Sequence, residues 1–388
     1  MTPSLEPLER ASGMVFGRRR RPDLGRECGA ESADLLAALD SLLLPALGRQ
    51  PCLVAFSGGR DSTALLCVAT DLARRQGLPD PVPVTLEFAH DQDTREEEWQ
   101  ETTVRRLALQ EWLRIPLTDE LDALGPMAAD ALRRHGAYWP PLAHSTIPML
   151  EAAVGGSLLT GNGGDEFLSP WPLQRISRIR RGRSFPRRSE LRWAAVFCLP
   201  AGVRARVWRR RRPLELGWLT AAADDELQRL WAAQSTHVAP SWADYLESLL
   251  DSRYFEVGTA IFQALAERAG VLLVEPFLSP RFVRALAASG PSGGYESRAR
   301  ALEALFGDVL SPDAAARSTK ASFTRVPWGP EARAFADTWD GTGLDPVLVD
   351  PDALRAEWLS PRPDFRSLVP LQCAWLATHS RSRARISA

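Results

Sequence analysis

Short apolar runs alternate with amphipathic segments through the first half of the chain. Runs that end at turn residues predict buried strands at 52–56, 82–88 and 157–160, and a weaker one at 114–117. Leucine and other apolar residues at helical spacing predict helices at 35–47, 62–76 and 147–154, and acids after Thr94 indicate another helix start. Strands that alternate with helices are typical of an α/β protein whose parallel sheet is covered on both faces.

The second half of the chain has a different pattern. From about residue 191 it is mostly helical, most clearly at 254–268, with an extended exception at 271–277. Residues 1–35 mix Pro, Gly, Glu and Arg without a period, which indicates a mobile or loosely docked extension. A domain averages roughly 150 residues, so the 388-residue chain is too long for one core. We therefore predict a flexible extension at 1–40, an α/β core at 41–175 and a helical part at 176–388.

Composition narrows the class of protein. With 45% hydrophobic and 24% charged residues the chain is typical of a globular protein, and not of a coiled-coil rod or a disordered segment. No apolar stretch approaches the roughly 18 residues that a membrane span needs. The five cysteines include no CxxC pair, which argues against a disulfide scaffold and fits a reducing cytosol. We expect a cytoplasmic protein that makes no membrane contact.

The basic residues are almost all arginine. Of 47 basic residues 46 are arginine, and Lys320 is the only lysine. A chain that uses arginine wherever a positive charge suffices is expected to keep lysine where a compact ammonium is needed, so Lys320 becomes a candidate functional residue.

Arginine is also concentrated in one segment. Residues 175–212 hold fourteen arginines and one acid, Glu190. Such a segment can bind an acidic leader of a precursor peptide, a carrier protein or nucleic acid, because arginine matches carboxylates and phosphates. A solvated basic surface is the simpler interpretation, and nucleic acid is not an expected partner.

The first motif lies between a predicted strand and a predicted helix. It reads Ser-Gly-Gly-Arg-Asp-Ser from Ser57 to Ser62. The pair Gly58 and Gly59 lets successive backbone N–H groups point into one concavity at a helix N-terminus, which suits a polyphosphate. The two serines can donate hydroxyls to phosphate, and Asp61 is placed to bind Mg²⁺. No Gly-Lys-Ser/Thr follows, so this is not a Walker A loop.

The second motif follows the strand predicted at 157–160. It reads Thr-Gly-Asn-Gly-Gly-Asp-Glu and supplies Gly161, Gly163, Gly164 and Asp165. Glycines at the carboxyl end of a parallel strand admit a ligand close to the backbone. Asp165 is expected to reach the same metal ion as Asp61, from the neighbouring strand.

The first motif resembles the phosphate loop of the N-type ATP pyrophosphatases, which transfer AMP and release pyrophosphate. The second resembles the Gly-x-Gly-x-Asp-Glu signature of their asparagine synthetase group. The resemblance implies an adenine nucleotide alpha hydrolase-like core, ATP and Mg²⁺ as cofactors, and the metal-ligand role of Asp165. The Arg-Ser-Thr-Lys segment from Arg317 to Lys320 is similar to the family's Arg-x-x-Lys, whose lysine stabilises the acyl-adenylate and the tetrahedral species during amine attack.

Several positions depart from asparagine synthetase itself. Thr2 follows Met1 where the family has a nucleophilic cysteine, so we expect no glutaminase domain. Ser279 replaces the Asp of the family's Pro-Phe-Leu-Asp element, and Leu272 stands where its acid/base glutamate lies. Glu275 is the substitute candidate for that catalytic role.

We therefore expect an activated carboxylate to meet a preformed amine. β-lactam synthetase and the lasso-peptide cyclases catalyse such reactions, and the segments around Pro276 and Lys320 look most similar to the cyclases. The expected function is an AMP-forming amide or macrolactam ligase in peptide natural-product biosynthesis. The expected substrate is a peptide or small molecule that carries the carboxylate and the amine. Asparagine synthesis with ammonia from elsewhere, a tRNA-modifying pyrophosphatase and a non-catalytic relative remain alternatives.

Other polar residues are weaker candidates. His90, Asp91 and Asp93 follow the strand predicted at 82–88, where the nucleotide is expected, although helix caps and polar loop groups are the commoner interpretation. The remaining candidates, which core packing explains as well, are His144, Tyr254 and Tyr295.

Overall fold

The computed structural model of the protein describes residues 3–19, 34–88, 97–174, 195–196, 199–211, 213–237, 239–317 and 326–386. Within these residues five strands form one parallel sheet in the order β3-β2-β1-β4-β5. The strands are β1 (Cys52–Ala55), β2 (Val82–Phe88), β3 (Leu113–Leu117), β4 (Ser157–Leu159) and β5 (Leu272–Val274).

Helices precede, connect and follow the strands. Those up to the end of β4 are α1 (Pro7–Ser12), α2 (Leu35–Leu47), α3 (Arg60–Arg75), α4 (Glu97–Arg106), α5 (Pro126–His135) and α6 (Ile147–Ala152). Those between β4 and β5 are α7 (Gly164–Phe167), α8 (Ala201–Arg209), α9 (Ala221–Ser235), α10 (Trp242–Leu250) and α11 (Arg253–Ala269). After β5 come α12 (Pro280–Ser289), α13 (Arg298–Phe306), α14 (Pro312–Ala316), α15 (Pro330–Thr338), α16 (Pro351–Trp358) and α17 (Leu368–Ile386).

The sheet is buried on both faces. Leu53 of β1 and Leu158 of β4 pack into one hydrophobic cluster, whereas Val54 and Leu159, their successors, pack into another. Successive side chains of a strand point to opposite faces, so each strand supplies both layers. The predicted fold class, a parallel α/β core with many helices, is confirmed.

The strand order reverses beside β1. β2 and β3 extend the sheet on one side of β1, and β4 and β5 extend it on the other. In open α/β sheets the crevice at such a reversal, at the carboxyl ends of the strands, is where ligands bind. The extended segment expected at 271–277 contains β5, which pairs with β4 at one edge of the sheet. The sheet therefore includes a strand from the part of the chain that was predicted to be helical. The boundary predicted at residue 175 does not separate that strand from the α/β core.

The N-terminal residues differ from the expected flexible extension. Within residues 3–19, α1 packs against α17, and its Glu9 is 3% exposed. Arg253, at the start of α11, donates to both carboxylate oxygens of Glu9 at 2.7 and 2.9 Å. Trp218 donates its indole N–H to the carbonyl of Ala11 at 2.8 Å. The expectation was wrong for this segment because its polar residues bind buried partners far along the chain, which a search for local periodicity does not detect.

None of the described helices combines the length and the apolar character that crossing a membrane requires.

The buried ion pair between Glu9 and Arg253 makes a prediction about stability. Replacing Glu9 with Gln leaves the Arg253 guanidinium, whose side chain is 10% exposed, without its main counter-charge. We expect Glu9→Gln to lower the free energy of unfolding by about 3 kcal/mol or more, measured by urea denaturation. The control is Arg134→Ala, which breaks an exposed pair with Asp130 and should change it by less than about 1 kcal/mol. Equal effects of the two substitutions would contradict the docked N-terminal segment.

Candidate active site

The first loop, residues 56–59, links β1 to α3 and has the backbone conformation of a phosphate-binding loop. Gly58 has a φ of 80°, in the left-handed region that favours glycine, and Gly59 is the N-cap residue of α3. The hydroxyls of Ser57 and Ser62 lie 3.2 Å apart, and Ser62 also donates to the carbonyl of Gly59 at 3.0 Å. Two hydroxyls thus lie together at the start of a helix, where the backbone N–H groups favour an anion.

Two side chains from other elements hold this loop by its carbonyl groups. Gln100 of α4 donates to the carbonyl of Ser57 at 3.0 Å, and Arg317 donates to the carbonyl of Gly58. The Arg317 guanidinium carbon lies 5.1 Å from the ring centroid of Trp99, also on α4. Since a trans peptide has its N–H opposite its C=O, fixing these carbonyls also fixes the direction of the following amides.

The second loop lies directly against the first. β4 pairs with β1 in parallel, with Leu158 opposite Leu53, so both loops leave the same edge of the sheet. A Cβ atom on Gly161 would lie 3.1 Å from the backbone N of Ser62. One on Gly164 would lie 2.3 Å from the carboxyl carbon of Asp61. Glycine suits both positions because a side chain would press against the backbone of Ser62 in one case and against the carboxyl group of Asp61 in the other.

The loops bring together the two acids predicted to bind metal. Asp61 and Asp165 both pair with the guanidinium of Arg298, the first residue of α13. The exposed fractions of these side chains are 14% for Asp61, 49% for Asp165 and 11% for Arg298. Burial and the charge of neighbouring Arg60 lower the pKa of Arg298 to about 10, so it stays charged at neutral pH. Both carboxylates therefore contact the same guanidinium group.

This donor set fits Mg²⁺. The ion is usually bound by one or two carboxylates, with substrate phosphates and water completing its shell, and not by an all-protein cage. Asp61 and Asp165 supply two carboxylates beside the phosphate loop. Among the described residues no group of three or more His, Cys, Asp or Glu side chains is arranged to hold a metal.

Glu275 follows β5, at the same edge of the sheet. It is 9% exposed, and its carboxylate accepts from the side-chain N–H of Asn162 at 2.8 Å and the hydroxyl of Thr160 at 3.5 Å. Burial raises the pKa of Glu275 to about 7, against the opposite effect of these two bonds. A carboxyl group that titrates near neutral pH beside the glycine-rich turn has the properties of an acid/base group. Leu272, where the family's glutamate was expected, packs against a hydrophobic cluster.

Five further candidates do not contribute to the described geometry of the two loops. Lys320, His90, Asp91 and Asp93 are outside the described residues. His144 is fully buried, its Nδ1 is 3.0 Å from the Tyr138 hydroxyl, and burial lowers its pKa to about 4, which is typical of a structural group.

The two tyrosine candidates have different surroundings. Tyr254 donates to Glu166, the neighbour of Asp165, at 3.3 Å, and burial raises its pKa. The ring of Tyr295 meets that of Trp242 edge to face, with centroids 5.7 Å apart. The ring of Tyr254 meets that of Trp139, with centroids 4.2 Å apart, so both tyrosine rings pack against another aromatic ring.

Sequence reasoning missed three residues that the structure places at the site: Gln100, Arg298 and Arg317. Arg317 belongs to the segment that includes Lys320, so its position in that motif was an available signal. Gln100 and Arg298 lie on helices in no recognised motif, and only the fold brings them to the loops.

The parallel sheet, with a glycine-rich loop after each of two adjacent strands, defines an α/β nucleotide-binding protein. Comparison with known families then identifies it more closely. The family model described as asparagine synthase matches residues 41–356, which is most of the chain. The protein belongs to the asparagine synthase family, whose members are ATP-dependent ligases that generally use Mg²⁺. A search of curated proteins found no match.

The raised pKa of Glu275 predicts a pH dependence of stability. The folded protein holds this proton to about pH 7, whereas the unfolded chain releases it near 4.5. Ionising Glu275 therefore costs stability as the pH rises through this interval, by about 3 kcal/mol in total. We expect the free energy of unfolding of the wild type to fall relative to that of Glu275→Gln between pH 4.5 and 8, in denaturation series across that range.

The control for this measurement is Glu267→Gln, which changes an exposed glutamate on α11. Its difference from the wild type should stay nearly constant over the same pH range. A constant difference for Glu275→Gln as well would show that Glu275 ionises normally in the folded protein.

Proposed function

We propose that the protein is an AMP-forming ligase that joins a carboxylate to an amine at the expense of ATP. The observation that carries this proposal is the meeting of Asp61 and Asp165 on one guanidinium beside the phosphate loop. Family membership supports the ligase class and the use of ATP. When pyrophosphate leaves as a complex with a metal ion, the site needs carboxylates close together to hold that ion.

The first half-reaction is adenylation. A carboxylate oxygen of the substrate attacks the α-phosphorus of ATP, the bond to the β-phosphate breaks, and pyrophosphate leaves. The hydroxyls of Ser57 and Ser62 and the amides of Gly58 and Gly59 bind phosphate oxygens, and Gly161, Gly163 and Gly164 allow the close approach. Asp61 and Asp165 would hold Mg²⁺, which when bound neutralises charge on the leaving pyrophosphate.

The second half-reaction is amide formation. The amine attacks the acyl carbon, the bond to AMP breaks, and the nitrogen must lose a proton. Glu275 suits this step because its pKa of about 7 lets the carboxylate accept a proton near neutral pH. Its position at the glycine-rich turn, bonded to Asn162, is the second observation in favour of this role.

Lys320 would stabilise the negative charge of the tetrahedral species. It follows Arg317 by three residues in the sequence. Arg317 binds the carbonyl of Gly58 in the phosphate loop. Its nearness in sequence to a residue that holds the phosphate loop supports this role for Lys320.

We further propose a peptide that carries both reacting groups as the substrate, with a lactam as the product. Resemblance of the segments around Pro276 and Lys320 to lasso-peptide cyclases supports this choice. So does Leu272, because it stands where asparagine synthetase has its acid/base glutamate, which argues against asparagine synthesis and for an activated acid that meets a preformed amine.

The test is pyrophosphate release from ATP and Mg²⁺ with peptides that have a free N-terminal amine and an aspartate or glutamate side chain. We expect release that depends on the peptide, with loss of one water from its mass. Lys320→Ala should lower kcat by about 100-fold or more and change the KM for ATP less, since the lysine acts on the charge of the transition state.

Two comparisons make this test decisive. Lys320→Arg retains the charge without the compact ammonium and should recover part of the activity. Asparagine formed from aspartate and ammonium, or turnover only with tRNA, would replace the peptide proposal. Full turnover by Lys320→Ala would contradict the role given to the lysine.

A further inference from the structure

Arg298 is the cation on which the two acidic side chains of the site converge. Its Nε donates to Oδ1 of Asp61 at 3.0 Å, its Nη2 pairs with Oδ2 of Asp61, and its Nη1 pairs with Oδ1 of Asp165. One guanidinium thus engages three of the four oxygens of the carboxylate pair. Those are the oxygens that a divalent cation would need as ligands.

The backbone of Arg298 is anchored while its long side chain is not part of the core. Ser297 caps α13 by accepting from the backbone N–H of Arg300 at 3.2 Å. Ala301, Leu302 and Phe306 of the same helix are buried in the hydrophobic core. The helix is therefore fixed against α3 and α14, and a change of partner requires only rotation of the Arg298 side chain.

Electrostatics explains why a cation is built into this position. Two carboxylates held at one point repel each other, and the charge of Arg298 offsets that repulsion when no metal is bound. A divalent cation between the same oxygens would provide more positive charge and would repel the guanidinium. Arg298 and a metal ion are therefore competitors for the pair.

We propose that Arg298 is a resident counter-ion of the metal site that exchanges onto the polyphosphate when Mg²⁺ and nucleotide bind together. A guanidinium displaced from two carboxylates is matched in charge and shape by phosphate oxygens, which it can bind by two parallel hydrogen bonds. Arg298 then disfavours binding of the metal alone and favours binding of metal with polyphosphate. This proposal rests on the metal role of Asp61 and Asp165 proposed above.

The first measurement is Mn²⁺ binding to the full chain without nucleotide, by electron paramagnetic resonance of the free ion. We expect Arg298→Gln to raise the affinity for Mn²⁺ roughly tenfold, because the competing cation is gone. Arg300→Gln is the matched control, since Arg300 is two residues away and pairs with Glu303 at the surface. It should bind Mn²⁺ as the wild type does. An unchanged or lower affinity in Arg298→Gln would overturn the proposal.

The second measurement is inorganic pyrophosphate binding in the presence of Mg²⁺, by calorimetry. Arg298→Gln should bind pyrophosphate about tenfold more weakly, because one phosphate ligand is missing. Arg298→Lys retains the charge but cannot form two parallel hydrogen bonds. Its affinities for Mn²⁺ and for pyrophosphate should lie between those of the wild type and of Arg298→Gln. This variant replaces Arg298→Gln in both measurements if the glutamine variant fails to fold. If all three proteins bound pyrophosphate with the same affinity, the proposed movement of Arg298 onto the polyphosphate would be wrong.

Neither measurement requires substrate or turnover. Failure of the ligase proposal would show as no pyrophosphate release with any carboxylate, whereas failure of this inference shows as unchanged Mn²⁺ and pyrophosphate affinities. The outcomes are therefore separable.

Discussion

Direct contact between the loops after β1 and β4 is the constraint on which the site depends. The two strands are hydrogen-bonded neighbours, so their loops leave the sheet side by side. Gly161 and Gly164 have no side chains to keep the loops apart, and Asp61 fills the space that a Cβ on Gly164 would take. Two acids about one hundred residues apart in sequence thereby become one pair at the crevice where the strand order reverses.

The helical part of the chain completes this site and is not an appendage to the sheet. Arg298 balances the acid pair, Arg317 holds the carbonyl of Gly58, and Glu275 extends from β5 to the second loop. The two arginines therefore bring positive charge to the loops from segments far along the chain. The side chains of Arg298, Arg317 and Glu275 are all largely buried. Because burial strengthens electrostatic interactions, a small number of groups can define the charge pattern of the site.

Sequence alone predicted the features that depend on local pattern. The strands, the helices that follow them and both glycine-rich loops were predictable because periodicity and turn residues are local signals. The convergence of Asp61 and Asp165 was expected because parallel strands share one carboxyl edge. Gln100, Arg298 and the docked α1 were not predictable, since their roles depend on contacts across 40 residues or more. The role of Lys320 stays a prediction.

The central claim is that Asp61 and Asp165 bind one and the same metal ion beside the phosphate loop. The most direct measurement is a double-mutant cycle of Mn²⁺ affinity in the presence of pyrophosphate, with Asp61→Asn, Asp165→Asn and the double variant. We predict one Mn²⁺ per chain and strongly non-additive losses, because the second substitution removes little once the shared ion has lost one ligand. Additive losses, or two independent ions, would contradict the account.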